Sequence, residues 1–255
     1  MLWYKSWLET RWRFLIGLAL LMFSAATTVI TYPQVVKLLP LAPRLDLGGE
    51  IGRRVAESIE LARDYRGYVW SQWFRQNMAQ SWTLFAVMLG TGGLLAQASG
   101  GGALFTLSLP ASRNRLLAVR GATALFELLV LALLPSLLIP LLSPGIAQGY
   151  GVGDALVHGL CAYVAGAIFF SLAFLLSTVF ADVWRPALIA IGVATVLSLC
   201  EQFLREAWPL GLFRVMSAEA YFRGGGVPWL GLGVCLLVSA SLLYAASRNI
   251  ARQDF

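Results

Sequence analysis

Residues Gln97–Arg120 read QASGGGALFTLSLPASRNRLLAVR. The stretch holds a glycine run (Gly100, Gly101, Gly102), a short apolar piece from Ala103 to Leu109, Pro110 as a stop, and Arg113, Arg115 and Arg120. Apolar runs flank it, about 78–95 before it and 116–142 after it. Each is long enough for a helix to cross a bilayer, which takes about 17–25 residues. The stretch is therefore a polar hairpin between two spans, and that decides the fold class. Composition agrees: the chain is 58% hydrophobic and 13% charged, where soluble domains carry about 25% charged residues. We read an all-α, polytopic integral membrane protein with little mass outside the bilayer. The net charge of +6 suits anionic lipid head groups. No basic run interleaved with exposed polar sequence points to nucleic acid.

Working outward, four more apolar runs lie at about 14–30, 155–180, 187–204 and 227–246, which makes six predicted spans. Tyr32 and Pro33 are expected to end the first. Ahead of it, residues 1–13 (MLWYKSWLETRWR) have helical amphipathicity. Trp3, Tyr4, Trp7, Leu8 and Trp12 share one arc, and Lys5, Ser6, Glu9, Thr10 and Arg13 the other. Trp and Tyr beside basic residues favour the membrane interface. The expectation is a separate helix lying flat on the membrane, anchored by Trp3, Trp7 and Trp12.

Residues 33–77 form the longest non-membrane piece, an external helical excursion. Ile51, Val55, Ile59 and Ala62 make a helical stripe, and Tyr65, Tyr68, Trp70, Trp73 and Phe74 follow as an aromatic belt. Gly90, Gly92 and Gly93 allow close helix contact. Residues 205–226 are too short for a domain and are expected to enter the bilayer partway. Six spans put both termini on one side. Lys and Arg divide almost evenly across the membrane, nine against ten of the 19, so the positive-inside rule does not orient the chain. The N-terminal helix and the Arg113–Arg120 cluster favour cytoplasmic termini.

Several chemistries are poorly supported. A phosphate loop ends in Gly-Lys-Ser/Thr, and the only lysines, Lys5 and Lys37, follow no glycine loop. Intramembrane proteolysis needs a nucleophile and a base. Ser99 and the single histidine, His158, fall at opposite ends of the predicted bundle, and His158 reads as an interfacial polar residue. Cys161, Cys200 and Cys235 lie far apart in apolar segments and read as packing residues, with no metal-ligand spacing. Glu127 is the one acid well inside a span. Such residues face a bundle interior or a cavity. It is a candidate for the transport path, a subunit interface or a structural hydrogen bond. Glu201 is expected at the interface.

Leu107-Ser108-Leu109-Pro110-Ala111-Ser112-Arg113, continued by Arg115 and Leu116-Leu117-Ala118, resembles the cytoplasmic signature of the type 2 exporter class of ATP-binding-cassette permeases. Gly101 takes that pattern's glycine position, while Gln97 stands where the family often has Glu. The resemblance covers about twenty residues in motif and nearly the whole chain in layout. It implies that residues 97–115 form a cytoplasmic coupling segment. Its short helix, around Ala103 to Leu109, would sit in a groove on a separate ATPase. The ATPase-coupling residues it assigns are Gln97, Gly101, Leu104, Leu107, Ser108, Leu109, Pro110, Ser112, Arg113 and Arg115. It further implies a second permease subunit, identical or different, and two copies of the ATP-binding subunit. ATP and Mg would be bound by that partner and no cofactor by this chain, which is not an enzyme by itself. The location implied is the bacterial cytoplasmic (inner) membrane. The greasy spans lean toward hydrophobic or amphipathic cargo. A membrane scaffold that binds partners without transport is the alternative, and an intramembrane protease a distant third.

Overall fold

The computed structural model describes residues 2–38, 56, 59–92, 113–203 and 211–252. These residues form helices joined by turns, with no strand among them. In chain order the helices are α1 (Leu2–Leu38), α2 (Tyr65–Val69), a π-helical segment (Trp70–Met78) and α3 (Ala79–Gly90). After them come α4 (Arg113–Leu142), a 3₁₀ turn (Ser143–Ile146), α5 (Val152–Leu176) and α6 (Trp184–Phe203). Two short helices, α7 (Leu212–Met216) and α8 (Glu219–Phe222), precede α9 (Trp229–Ala251). Five helices are long and apolar enough to cross a membrane: α1, α4, α5, α6 and α9. The chain is thus an all-helical integral membrane protein.

The remaining predicted span, about 78–95, falls on a compound helix. Tyr65 to Gly90 runs through α2, the π segment and α3 without a gap. Its α-helical membrane portion is only the 12 residues of α3. The preceding turns, WSQWFRQNM, are π-helical and polar.

The N-terminal expectation is corrected. Residues 2–13 are the first turns of α1, which runs unbroken for 37 residues, about 55 Å. Residues 2–13 are therefore not a helix separate from the first span. Nothing between Trp12 and Gly17 breaks the helix, and the polar arc is engaged by the bundle. Ser6 and Thr10 are buried, whereas Trp3, Tyr4 and Trp12 are exposed. Trp7 is half-buried against Phe14, ring centroids 5.3 Å apart. Pro33 does not end the helix either. Its ring removes one backbone donor, but Tyr32 packs on Tyr65 and Tyr68 at 4.8 and 5.1 Å and holds the last turns in place.

Helix α5 is the centre. In its most apolar window 61% of residues are buried, against 17% in α6 and 22% in α9. It touches α3, α4, α6, α7 and α9, while α1 packs on α4 and α3. Close approach rests on small residues, as in other membrane bundles. A Cβ on Gly90 would meet the Phe170 carbonyl oxygen at 2.7 Å, and one on Gly166 would collide with the fully buried Trp82 ring. Trp82 Nε1 donates to the Leu128 carbonyl at 3.2 Å, so the indole also ties α3 to α4. On α6 the inward residues are small (Ala190, Ala194), and large ones such as Leu188 and Phe203 face outward.

Candidate functional site

Three polar groupings interrupt this apolar bundle. The first lies at one end, where residues 93–112 leave and rejoin the described structure. Helix α3 ends at Thr91, followed by Gly92 at φ +82°, a left-handed conformation that glycine adopts without strain. The terminal carbonyls of α3 would otherwise lack partners. Arg13 Nη1 donates to the Met88 carbonyl at 2.8 Å and to the Thr91 carbonyl at 3.2 Å. Arg120 Nη2 donates to the same Thr91 carbonyl at 3.2 Å. Two guanidinium groups at a helix C-terminus are favoured by its partial negative charge. Arg120 also pairs with Glu9 at 3.4 Å. Two turns further along α4, Glu127 Oε1 accepts from Thr10 Oγ1 at 2.5 Å.

The polar arc of α1 is therefore a tertiary contact surface. Glu9, Thr10 and Arg13 meet Arg120 and Glu127 of α4 and the end of α3. Glu127 faces the bundle interior, is 1% exposed, and lines neither of the cavities described below. From the sequence alone it had no basic neighbour within one turn. Its partner Thr10 lies 117 positions away.

The assigned coupling residues Gln97, Gly101, Leu104, Leu107, Ser108, Leu109, Pro110 and Ser112 lie outside the described residues, as does Ser99. Arg113 begins α4, and Arg115 is exposed on its first turn. What the structure adds is that Thr91, just before the segment, and Arg120, two turns into α4, are both held by α1.

The second grouping is at the opposite end. His158, expected as an interfacial polar residue, is near the start of α5 and is fully buried, because the 211–226 turn covers it. Its Nδ1 lies 3.0 Å from the Ser217 carbonyl, which only accepts, so Nδ1 carries the proton. Trp70 Nε1 donates to the same carbonyl at 3.0 Å. Phe74 stacks on His158 at 4.5 Å, and Phe222 on Trp70 at 4.2 Å. The adjacent Ala218 holds φ +51°, which costs about 1 kcal/mol in a residue with a Cβ. The two donors onto Ser217 fix that turn. Tyr221 donates to Asp154 at 2.7 Å, and Arg66 pairs with Asp154 at 3.3 Å. The hydrogen bond to Asp154, then burial, raise the Tyr221 hydroxyl above its ordinary pKa. Burial raises Tyr150 as well.

The third grouping is a wall of side chains without hydrogen-bond partners among the described residues. Gln72, Gln76 and Gln80 are exposed along one face of the compound helix, with Asn77 and Ser81 half-buried beside them. On one side they border a cavity of about 420 Å³ shared with Ser198, Glu201 and Gln202 of α6 and with Arg214 of α7. On the other, a groove of about 530 Å³ runs along Ser24, Thr27 and Thr31 of α1, with Phe23 and Leu84. Gln72 borders both. Both oxygens of the Glu201 carboxylate accept from Phe213 N–H at 3.0 Å, capping α7.

Among the described residues no group of His, Cys, Asp and Glu has the arrangement of a metal site. Comparison of the chain with protein-family models, with curated proteins and with solved structures returns no match.

Proposed function

We propose that this chain is the transmembrane permease subunit of a type 2 ATP-binding-cassette exporter. It would move hydrophobic or amphipathic cargo out across a bacterial cytoplasmic membrane, with termini on the cytoplasmic side. Energy comes from a separate ATPase that holds the ATP and Mg, and a second permease subunit completes the path.

The observation that carries this reading is that the structure flanking the 93–112 segment engages α1 on both sides, through Thr91 just before it and through Arg120, two turns into α4, after it. Arg13 and Arg120 converge on the Thr91 carbonyl, and Glu9 holds Arg120 from the other side. A segment pushed by an external motor transmits force only if its ends are bolted to the bundle. Here the end of α3 and the first turns of α4 are held by α1, the longest helix among the described residues. The Leu107–Arg113 motif within that segment supplies the resemblance to a coupling element.

The test is docking. Leu109→Asp, or deletion of 103–110, is expected to abolish co-purification with the partner ATPase while the protein still inserts in the membrane. Undiminished co-purification overturns the assignment.

A further inference from the structure

The glutamine wall runs beside the apolar part of α1. Thr31 Oγ1 lies 3.1 Å from the Tyr68 hydroxyl, and a Cβ on Gly17 would meet Phe85 at 2.8 Å. Residues 68–85 therefore run beside residues 17–31 of α1, most of the uncharged apolar stretch 14–30. Gln72, Gln76 and Gln80 fall between those two marks. Their side chains make no hydrogen bond among the described residues, and neither does Gln202. A primary amide facing lipid with no partner costs several kcal/mol. Four such groups around one cavity are not a lipid-facing surface. They are a surface that meets something polar.

The chemistry of the wall narrows what that is. Each glutamine amide offers two donors and one acceptor with two lone pairs. Ser71 and Ser198 add hydroxyls to the same cavity. The charged groups there, Arg75, Glu201, Arg214 and Glu219, balance in sign and are already engaged, Arg75 lying over the Trp70 ring at 5.5 Å. Glu201 caps α7, and Glu219 is paired with Arg214 at 3.6 Å and with Arg223 at 2.7 Å. A phosphate head would bring acceptors only and an ammonium head donors only, and each would leave half of the amide valence unmet. A row of neighbouring hydroxyls, each both donor and acceptor, matches it. The cavity volume of about 420 Å³ lies in the range of small-molecule sites, roughly 300–1,000 Å³. Through Gln72 it continues into the groove with Phe23 and Leu84, which offers apolar surface to a tail.

We propose that the cavity between the π segment, α6 and α7 binds the neutral, polyhydroxylated head group of an amphipathic molecule. Gln72, Gln76 and Gln80 are its main hydrogen-bonding ladder. The inference deepens the permease reading and rests on it for the fate of the ligand, which is export.

The experiment uses the full chain alone in phosphatidylcholine nanodiscs. Binding of radiolabelled dodecyl maltoside is compared with dodecylphosphocholine and dodecyl sulfate, three probes with one tail and different heads. A saturable component is expected for the maltoside only, displaced by free maltose. The triple variant Gln72→Leu, Gln76→Leu, Gln80→Leu is expected to weaken it at least tenfold. Should the triple variant fail to insert, Gln76→Leu alone is expected to weaken it at least threefold. Equal, non-saturable uptake of all three probes overturns the proposal, as does saturable binding of a charged head instead. Full binding by the variants also overturns it. So does a Gln76→Cys chain that cross-links to a second copy and binds no maltoside, since the wall is then an interface. No ATPase is present in this assay. Maltoside binding with lost ATPase docking would count against the permease reading alone, and the reverse result against the ligand alone.

Discussion

Two polar surfaces border α1, and they are opposites. Beside the 93–112 segment, Glu9, Thr10, Arg13, Arg120 and Glu127 engage one another and the end of α3. Midway along the bundle, Gln72, Gln76 and Gln80 engage nothing among the described residues. Both sets are costly to bury in hydrocarbon. The first set recovers most of that cost inside the chain, with Arg120 Nε and Glu127 Oε2 left without a hydrogen-bond partner among the described residues, which makes it a fastening. The second leaves it to be recovered by something outside the chain, which makes it a receiving surface. Polar residues within a span thus take their meaning from whether their valence is already spent.

Substitutions at the two surfaces should therefore diverge, and the largest effect belongs at the fastening. Arg120→Leu removes a 7% exposed guanidinium that joins α4 to Glu9 and to the end of α3. It should cost about 2–3 kcal/mol, the scale for hydrogen bonds to charged groups, read as lowered thermal stability in detergent. An unchanged melting temperature would break the comparison. Next comes the latch at the opposite end. Tyr221→Phe deletes the donor to Asp154 and should cost about 1 kcal/mol at neutral pH. The Tyr221 pKa is raised on folding, so its contribution is full below the ordinary tyrosine value of 10.0. It is lost as pH rises through the higher folded value. Wild type and variant melting curves should run parallel through neutral pH and converge only in strong alkali. The smallest effect belongs to the wall. Gln80→Leu should leave stability within about 0.5 kcal/mol, because no internal bond is lost. A drop as large as that for Arg120→Leu would place the wall among the fastenings.

Much of the fold could be read from hydropathy. The stretch 116–142 is α4 nearly to the residue, and 155–180, 187–204 and 227–246 overlap α5, α6 and α9. Predominantly apolar runs of bilayer length have few alternatives to helix in lipid. The N-terminus misled for a physical reason. An amphipathic helix on water hides its apolar arc, whereas one against a membrane bundle can present that arc to lipid and its polar arc to protein. Periodicity finds two arcs but does not say which solvent each one meets. The partners of Glu127 were hidden because they are tertiary, and Thr10 looked like surface. The glutamine wall was present as Gln72, Gln76 and Gln80 at four-residue spacing. It was missed because residues 33–77 read as a helical excursion outside the membrane, with Trp70, Trp73 and Phe74 as its aromatic belt, while the structure continues 70–78 as helix beside the apolar part of α1.

The unbroken length of α1 has a mechanical consequence. One rod of about 55 Å carries the contacts flanking the 93–112 segment near one end and the Ser24–Thr31 wall of the groove past its middle. The two cannot be displaced independently while the helix stays straight. A rocking of about 5° about its centre would shift each end by about 2 Å, given a half-length of about 27 Å. Those contacts and the groove wall, on opposite sides of that centre, would swing in opposite directions. Pro33, with one backbone hydrogen bond fewer, is the compliant joint beyond the groove. It lets the far turns stay with Tyr65 and Tyr68 while the rest of the rod swings. Stiffness from Arg13 to Thr31 is thus itself a functional property. A helix-softening residue placed between them, for example Met22→Gly, would uncouple the two ends without touching either.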